Sequence, residues 1–103
     1  MKPLGIHHHF TDGVYAKEMR IPAGTWVTKH VHDYDHISIL AQGMVVVEVD
    51  GKPMFYKAPA CVTIPKGCKH KISAHTDSVW FCIHATDETD LEKVDQVLIK
   101  ETV

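Results

Sequence analysis

Residues 24–43 read GTWVTKHVHDYDHISILAQG, and the side-chain pattern of this stretch decides how the chain folds. Trp26, Val27, Thr28 and Val31 are aromatic or β-branched and favour extended backbone. Successive side chains of a strand alternate faces, so Trp26, Thr28, His30 and His32 share one side, and at ~3.3 Å per residue the two histidines stand roughly 7 Å apart along it. Asp33, Tyr34 and Asp35 have turn character. Ile37, Ser38, Ile39 and Leu40 then form a second strand, which returns His36 to the first pair.

Imidazoles that converge in this way suit a divalent metal, because neutral ring nitrogens are good ligands for zinc, copper, iron and nickel. The plain alternative is a hairpin with surface histidines. Another places His32 and His36 one turn apart on a zinc-protease helix. That motif requires Glu directly after the first His, where Asp33 stands, and the β-branched flanks oppose a helix.

The chain has 103 residues, which predicts one domain burying roughly 60–65% of its unfolded surface. Its formal net charge is −2 and its only arginine is Arg20, so there is no basic patch for nucleic acid. Nine histidines make net charge and stability sensitive to pH in the mildly acidic range. With no long apolar segment and no signal-peptide pattern, the expectation is a cytoplasmic protein without a membrane partner. Cys61, Cys68 and Cys82 form no CxxC pair and read as reduced thiols, Cys61 and Cys82 as small core residues.

Outward from the central stretch the chain is a succession of short strands. His7, His8 and His9 precede it and read as mostly solvated, since adjacent strand residues cannot all reach one ion. Val14–Ile21 is a strand closed by Pro22, Ala23 and Gly24. Met44–Val49 and Lys52–Lys57 flank Asp50-Gly51, a hairpin turn that demands positive φ. Pro59–Ile64, His70–His75 and Val79–Ala85 complete the series, and turns at this regular spacing predict an all-β sandwich or barrel. In the tail, Thr89 and Glu92 make a capping box that predicts a short C-terminal helix. Gln96–Lys100 reads as a last strand needing an edge to pair with, in the same barrel or in a second subunit.

Pro65 and Gly67 deliver the chain into the strand that carries His70. A lone histidine there is ordinarily a surface or satisfied core residue, but together with the first stretch it resembles something more specific. The two segments resemble the motifs of the cupin superfamily. Its first motif runs Gly, five residues, His-x-His, three or four residues, Glu, six residues, Gly; Gly24, His30, His32, His36 and Gly43 fall at those places. Its second runs Gly, five residues, Pro-x-Gly, two residues, His, three residues, Asn; Pro65, Gly67 and His70 match, while Pro59 and Ala74 stand where the first Gly and the Asn belong.

The resemblance implies a single jelly-roll β-barrel over residues 1–103, with motif one at 24–43 and motif two at 59–74. It carries His30, His32 and His70 over as metal ligands inside the barrel. His36 stands where most metal-binding cupins have glutamate and resembles the four-histidine variant of the site. Four neutral ligands leave the full charge on a divalent ion, making it a stronger Lewis acid and disfavouring high oxidation states. The implied cofactor is a divalent transition metal: Fe, Mn, Ni, Co, Cu or Zn. Zinc held by four histidines would be closed and structural, whereas a six-coordinate ion would keep positions open.

Strand alternation puts Trp26, Thr28, Ser38 and Leu40 on the ligand face. In VWFCIHA, either Trp80, Cys82 and His84 or Val79, Phe81 and Ile83 face inward. In the first case His84 is an acid/base candidate beside the ligands, or a core histidine held by a backbone carbonyl. Tyr34 and Asp35 orient an imidazole or face solvent. The leading functional reading is a metal-dependent enzyme acting on a small polar molecule, oxygenase chemistry ahead of isomerase or lyase chemistry. The alternative is a binding or sensing module in which the metal holds the barrel together or recognises a small ligand without turnover. A β module with no metal at all would make four motif-placed histidines incidental. The apolar Val97-Leu98-Ile99 run and the habit of small cupins lead to the expectation of a homodimer.

Overall fold

The computed structural model describes residues 5–29, 36–85 and 101–102. They form ten strands: β1 (Gly5–Thr11), β2 (Val14–Ile21), β3 (Trp26–Lys29), β4 (His36–Gln42), β5 (Met44–Val49), β6 (Lys52–Lys57), β7 (Ala60–Ile64), β8 (His70–Ala74), β9 (Ser78–Ala85) and β10 (Glu101–Thr102). These make two five-stranded sheets in the orders β1-β2-β9-β4-β7 and β10-β3-β8-β5-β6. Every pairing is antiparallel. From β2 to β5, and again from β6 to β10, the chain passes from one sheet to the other at each connection.

The expected barrel is not closed. The sheets are hydrogen-bonded separately and enclose the core between their inner faces, an arrangement that needs no ladder between their edges. The expected C-terminal helix and the strand at 96–100 lie outside the described residues. Glu101 and Thr102 pair with Lys29 and Thr28. The first strand, β1, carries His7, His8 and His9 and pairs with the whole of β2 across the two-residue Asp12-Gly13 turn, with Gly13 at φ 77°; that Asp-Gly signal stands in the sequence.

Alternation sets the inner faces. On β2, Tyr15, Lys17, Met19 and Ile21 are buried; on β9, Ser78, Trp80, Cys82 and His84; on β4, His36, Ser38 and Leu40. From the second sheet come Val27, Val45, Val47, His70, Ile72 and Ala74. Cys61 does not belong to this core: it is exposed, because its neighbours Val62 and Ile64 take the inward positions of β7. The Asp50-Gly51 turn has φ of 48° and 82°, the left-handed pair that a two-residue hairpin between β5 and β6 requires.

Gly43 links β4 to β5 at φ 94°, and a Cβ there would collide with Ser78 Oγ and with the Asp77 carbonyl oxygen. Ser78 Oγ meanwhile donates to the Thr76 carbonyl at 2.8 Å and to that of Met44 at 3.3 Å, so neither side can give way cheaply. Gly43→Ala is therefore expected to cost at least ~2 kcal/mol, measured as a lower urea midpoint with unchanged slope.

On the outer face of the first sheet, Glu18 accepts from Arg20 Nε at 2.8 Å and stands 3.0 Å from His9 Nε2. The Arg20 guanidinium, and after it His9, hold the Glu18 carboxyl below its usual range against the opposing effect of burial. Its folded pKa is thus below the unfolded one, near 4.5. The contribution to stability is present above the unfolded value and is lost as pH falls through the folded one. In acid titrations followed by circular dichroism, Glu18→Gln should flatten that part of the loss of stability below about pH 4.5.

Candidate metal centre

His36 opens β4 and His70 opens β8, so the two belong to opposite sheets at the same end of the molecule. Each is placed by its ladder: His36 lies opposite Ile64, and His70 lies between Lys29 and Val49. Both are buried, at 5% and 3% exposure, and their ring centres are 5.8 Å apart across the interior. His84, 1% exposed, packs against His36 with ring centres 5.0 Å apart.

Metal–nitrogen bonds of about 2.0–2.1 Å put each ring centre roughly 3 Å from a shared ion, so two rings on one ion stand roughly 4.5–6 Å apart. The observed spacing fits that range, and the donor set is one that borderline metals accept. Among the described residues, no group of three His, Cys, Asp or Glu side chains is arranged to hold a metal. His30, His32, Tyr34 and Asp35 lie outside the described residues. The segment carrying them leaves the described structure after Lys29, the residue paired with His70, and re-enters at His36.

A stacked series of rings leads away from the centre. Tyr15 lies against His84, with ring centres 6.0 Å apart and an 18° interplanar angle. Its hydroxyl is hydrogen-bonded to His8 Nδ1 at 2.6 Å, which ties strand β1 to the interior. Beside this row, Ser38 Oγ donates to Cys82 Sγ at 3.9 Å. Trp80 is fully buried, and its indole Nε1 has no hydrogen-bond acceptor among the described residues.

Of the two inward sets open for β9, the structure buries Trp80, Cys82 and His84. Trp26 does not share the buried face. It is 50% exposed, with the Lys71 ammonium 5.1 Å from its ring centre, because β3 turns Val27 inward against Ile72 and its even-numbered positions outward. Sequence reading passed over Tyr15 and Lys17 and took His8 as mostly solvated, whereas His8 is half-buried against the Tyr15 hydroxyl. In VYAKEMRI the face that carries Tyr15, Met19 and Ile21 also carries Lys17, and that lysine on an apolar face was the available signal.

A family model described as Cupin domain matches residues 17–84. The chain belongs to the cupin family. Solved structures agree in fold. A cupin superfamily protein from Desulfitobacterium hafniense has a TM-score of 0.72 at 16% identity, covering 82% of this chain and 79% of its own. An RmlC-like cupin family protein with a double-stranded beta-helix fold from Methanocaldococcus jannaschii has a TM-score of 0.69 at 22% identity, covering 84% of each chain. KdgF from Halomonas sp. has a TM-score of 0.65 at 23% identity, covering 75% of this cupin and 73% of its own chain. No curated protein sequence matches significantly. At these identities the likeness is one of fold, and fold alone does not assign chemistry. No helix among the described residues is long and apolar enough to cross a membrane.

The hydroxyl of Tyr15 is a clean element of this arrangement to remove. Tyr15→Phe keeps the stacking on His84 and is expected to cost about 1 kcal/mol by thermal denaturation, the ordinary net worth of a hydrogen bond. In a double-mutant cycle, most of that cost should disappear when Tyr15→Phe is made on top of His8→Ala.

Proposed function

We propose that this cupin is a metal-dependent enzyme whose ion is held by His30, His32, His36 and His70 and whose substrate is a small polar molecule bound between the sheets, with oxygenase chemistry leading. The observation that carries the reading is the burial of His36 and His70, from opposite sheets, at a ring separation of 5.8 Å. Neutral imidazole nitrogens are good ligands for divalent metals, so two brought together in a core suit a shared ion. The chain path supports it, since the segment that carries His30 and His32 starts from beside His70 and ends at His36.

A divalent ion with open coordination positions would supply Lewis acidity and a place for substrate or oxygen to bind. The remaining tasks belong to side chains. His84, against His36 and backed by Tyr15, is placed to move a proton at an imidazole nitrogen. Tyr15, anchored through its hydroxyl to His8, holds the His84 ring in position. Trp80, Leu40 and Met19 line the adjoining interior and keep bulk water out.

Elemental analysis of untagged protein purified without chelating resin tests this. About one equivalent of iron, manganese, nickel, cobalt or copper per chain is expected, reduced at least ten-fold in occupancy by His36→Ala or His70→Ala, on the scale of about 10–100-fold seen for losing a ligand-supporting group. Oxygen uptake should depend on that metal. Stoichiometric zinc without turnover would favour a structural ion. Wild-type protein that holds no metal and whose stability ignores a chelator would refute the proposal.

A further inference from the structure

An antiparallel sheet with one face in water carries polar residues at its outward positions. The second sheet of this cupin does so: Phe55, Val46 and Trp26 alternate on its outer face with Lys57, Glu48 and Thr28. The first sheet does not. Its middle strand β9 and the neighbouring β4 are apolar on both faces, with Val79, Phe81 and Ile83 outward from one and Ile37, Ile39 and Ala41 outward from the other. The ladders join these positions in rows, Phe81 beside Ile39 and then Cys61, Ile83 beside Ile37 and then Thr63. Ile37 is 48% exposed, and Phe81, Ile83 and Ile39 are half-buried. Every described strand belongs to one of the two sheets, and none of them lies over these rows. Charge is confined to the β1–β2 flank of the same face, where Glu18 takes up Arg20 at 2.8 Å and His9 at 3.0 Å.

From this pattern we infer that the outer face of the first sheet is the contact surface of a homodimer and that the same face of a second copy covers it. Strands that are apolar on both sides belong where both sides are covered, and a contiguous apolar patch of this kind marks a protein contact. Five strands at ~4.8 Å and about seven residues at ~3.3 Å span roughly 550 Å². Projecting side chains raise the accessible area above that flat figure, toward the ~800 Å² per partner of a standard interface.

A second copy is the partner that the face fits. β9 is the middle one of the five strands, so a two-fold axis along the face sets Phe81 and Ile83 of each copy at the centre of an isologous contact. That centre is aromatic and uncharged, as interface cores are, and the Glu18 pairs fall on the rim, within reach of water. These charges satisfy one another inside one chain and so ask for no complementary charge from a different protein. A net charge of −2 per chain opposes the approach of two copies only weakly. The contact uses side chains of a sheet face rather than the backbone of a strand edge, and it stands apart from the histidine site.

Sedimentation equilibrium of the untagged full chain across the micromolar range tests this, with a mass of twice the chain expected. Phe81→Lys and Ile37→Lys should each weaken the dimer at least ~30-fold, the effect of losing a central hot spot, with the far-ultraviolet circular dichroism of wild type. Phe55→Lys, on the outer face of the second sheet, should leave the association unchanged. Hydroxyl-radical footprinting of wild type needs no variant: oxidation of Phe81, Ile37 and Ile39 should rise on dilution below the dissociation constant while that of Phe55 stays level. If a lysine variant loses its fold, footprinting decides alone. A monomer throughout the range overturns the proposal, since the face would then be covered by another part of the chain or by a different protein. A dimer that survives both lysine variants also overturns it, as does footprinting of these rows that ignores dilution; either result would place the contact at a strand edge or on the second sheet.

Discussion

The constraint on which the rest depends is the antiparallel register of β2, β9 and β4. It stacks the inner side chains in rows: Tyr15 beside His84, then Lys17 beside Cys82 and Ser38, then Met19 beside Trp80 and Leu40. A slip of one residue in any ladder would move a whole set to the other face. Lys17, Ser38 and His84 would reach water, and charged or exposed partners such as Glu18 and Arg20 would be driven inside. The apolar rows oppose this, because each fully buried large side chain contributes roughly 1.5–3 kcal/mol to the correct register. Polar groups of the interior are therefore held in place by their hydrophobic neighbours on the same strands.

That arrangement carries its own cost. The buried Trp80 indole N–H, with no acceptor among the described residues, costs about 1–3 kcal/mol. An interior selected only for stability would replace polar groups with aliphatic residues of similar volume, as Val27, Val45, Val47 and Ile72 do on the facing sheet. Polar residues concentrate on the first sheet and at the end where His36 and His70 meet. Departures from an apolar core that cluster in one region are the mark of a site. Here the cluster centres on His36, His70 and His84.

Much of the strand order was legible because turns in this chain are strongly marked. Val14–Ile21, Met44–Val49 and Lys52–Lys57 could be delimited from Pro-Ala-Gly and Asp-Gly signals and coincide with the strands found. β1 was missed because three histidines in a row carry no β signal, although the Asp12-Gly13 turn marks its hairpin with β2. Of the site, His36 and His70 could be named from motif spacing, and their burial and proximity are visible in the fold. Facing was harder. Trp26 read as inward because the count ran back from His30 and His32, whereas Val27 is the residue that packs against Ile72. Lys17 escaped notice because a single lysine in a strand usually marks a solvated position, and only the ladder with Cys82 shows that its face is the core.

The most direct test of the central claim, that this cupin's buried histidines converge on one ion, is X-ray absorption spectroscopy at the edge of the metal that the protein retains. The account predicts a first shell of nitrogen or oxygen at about 2.0–2.2 Å with outer-shell scattering from about four imidazoles, diminished when His70 is replaced by Ala. A first shell containing sulfur at about 2.3 Å, or one without imidazole scattering, would contradict it.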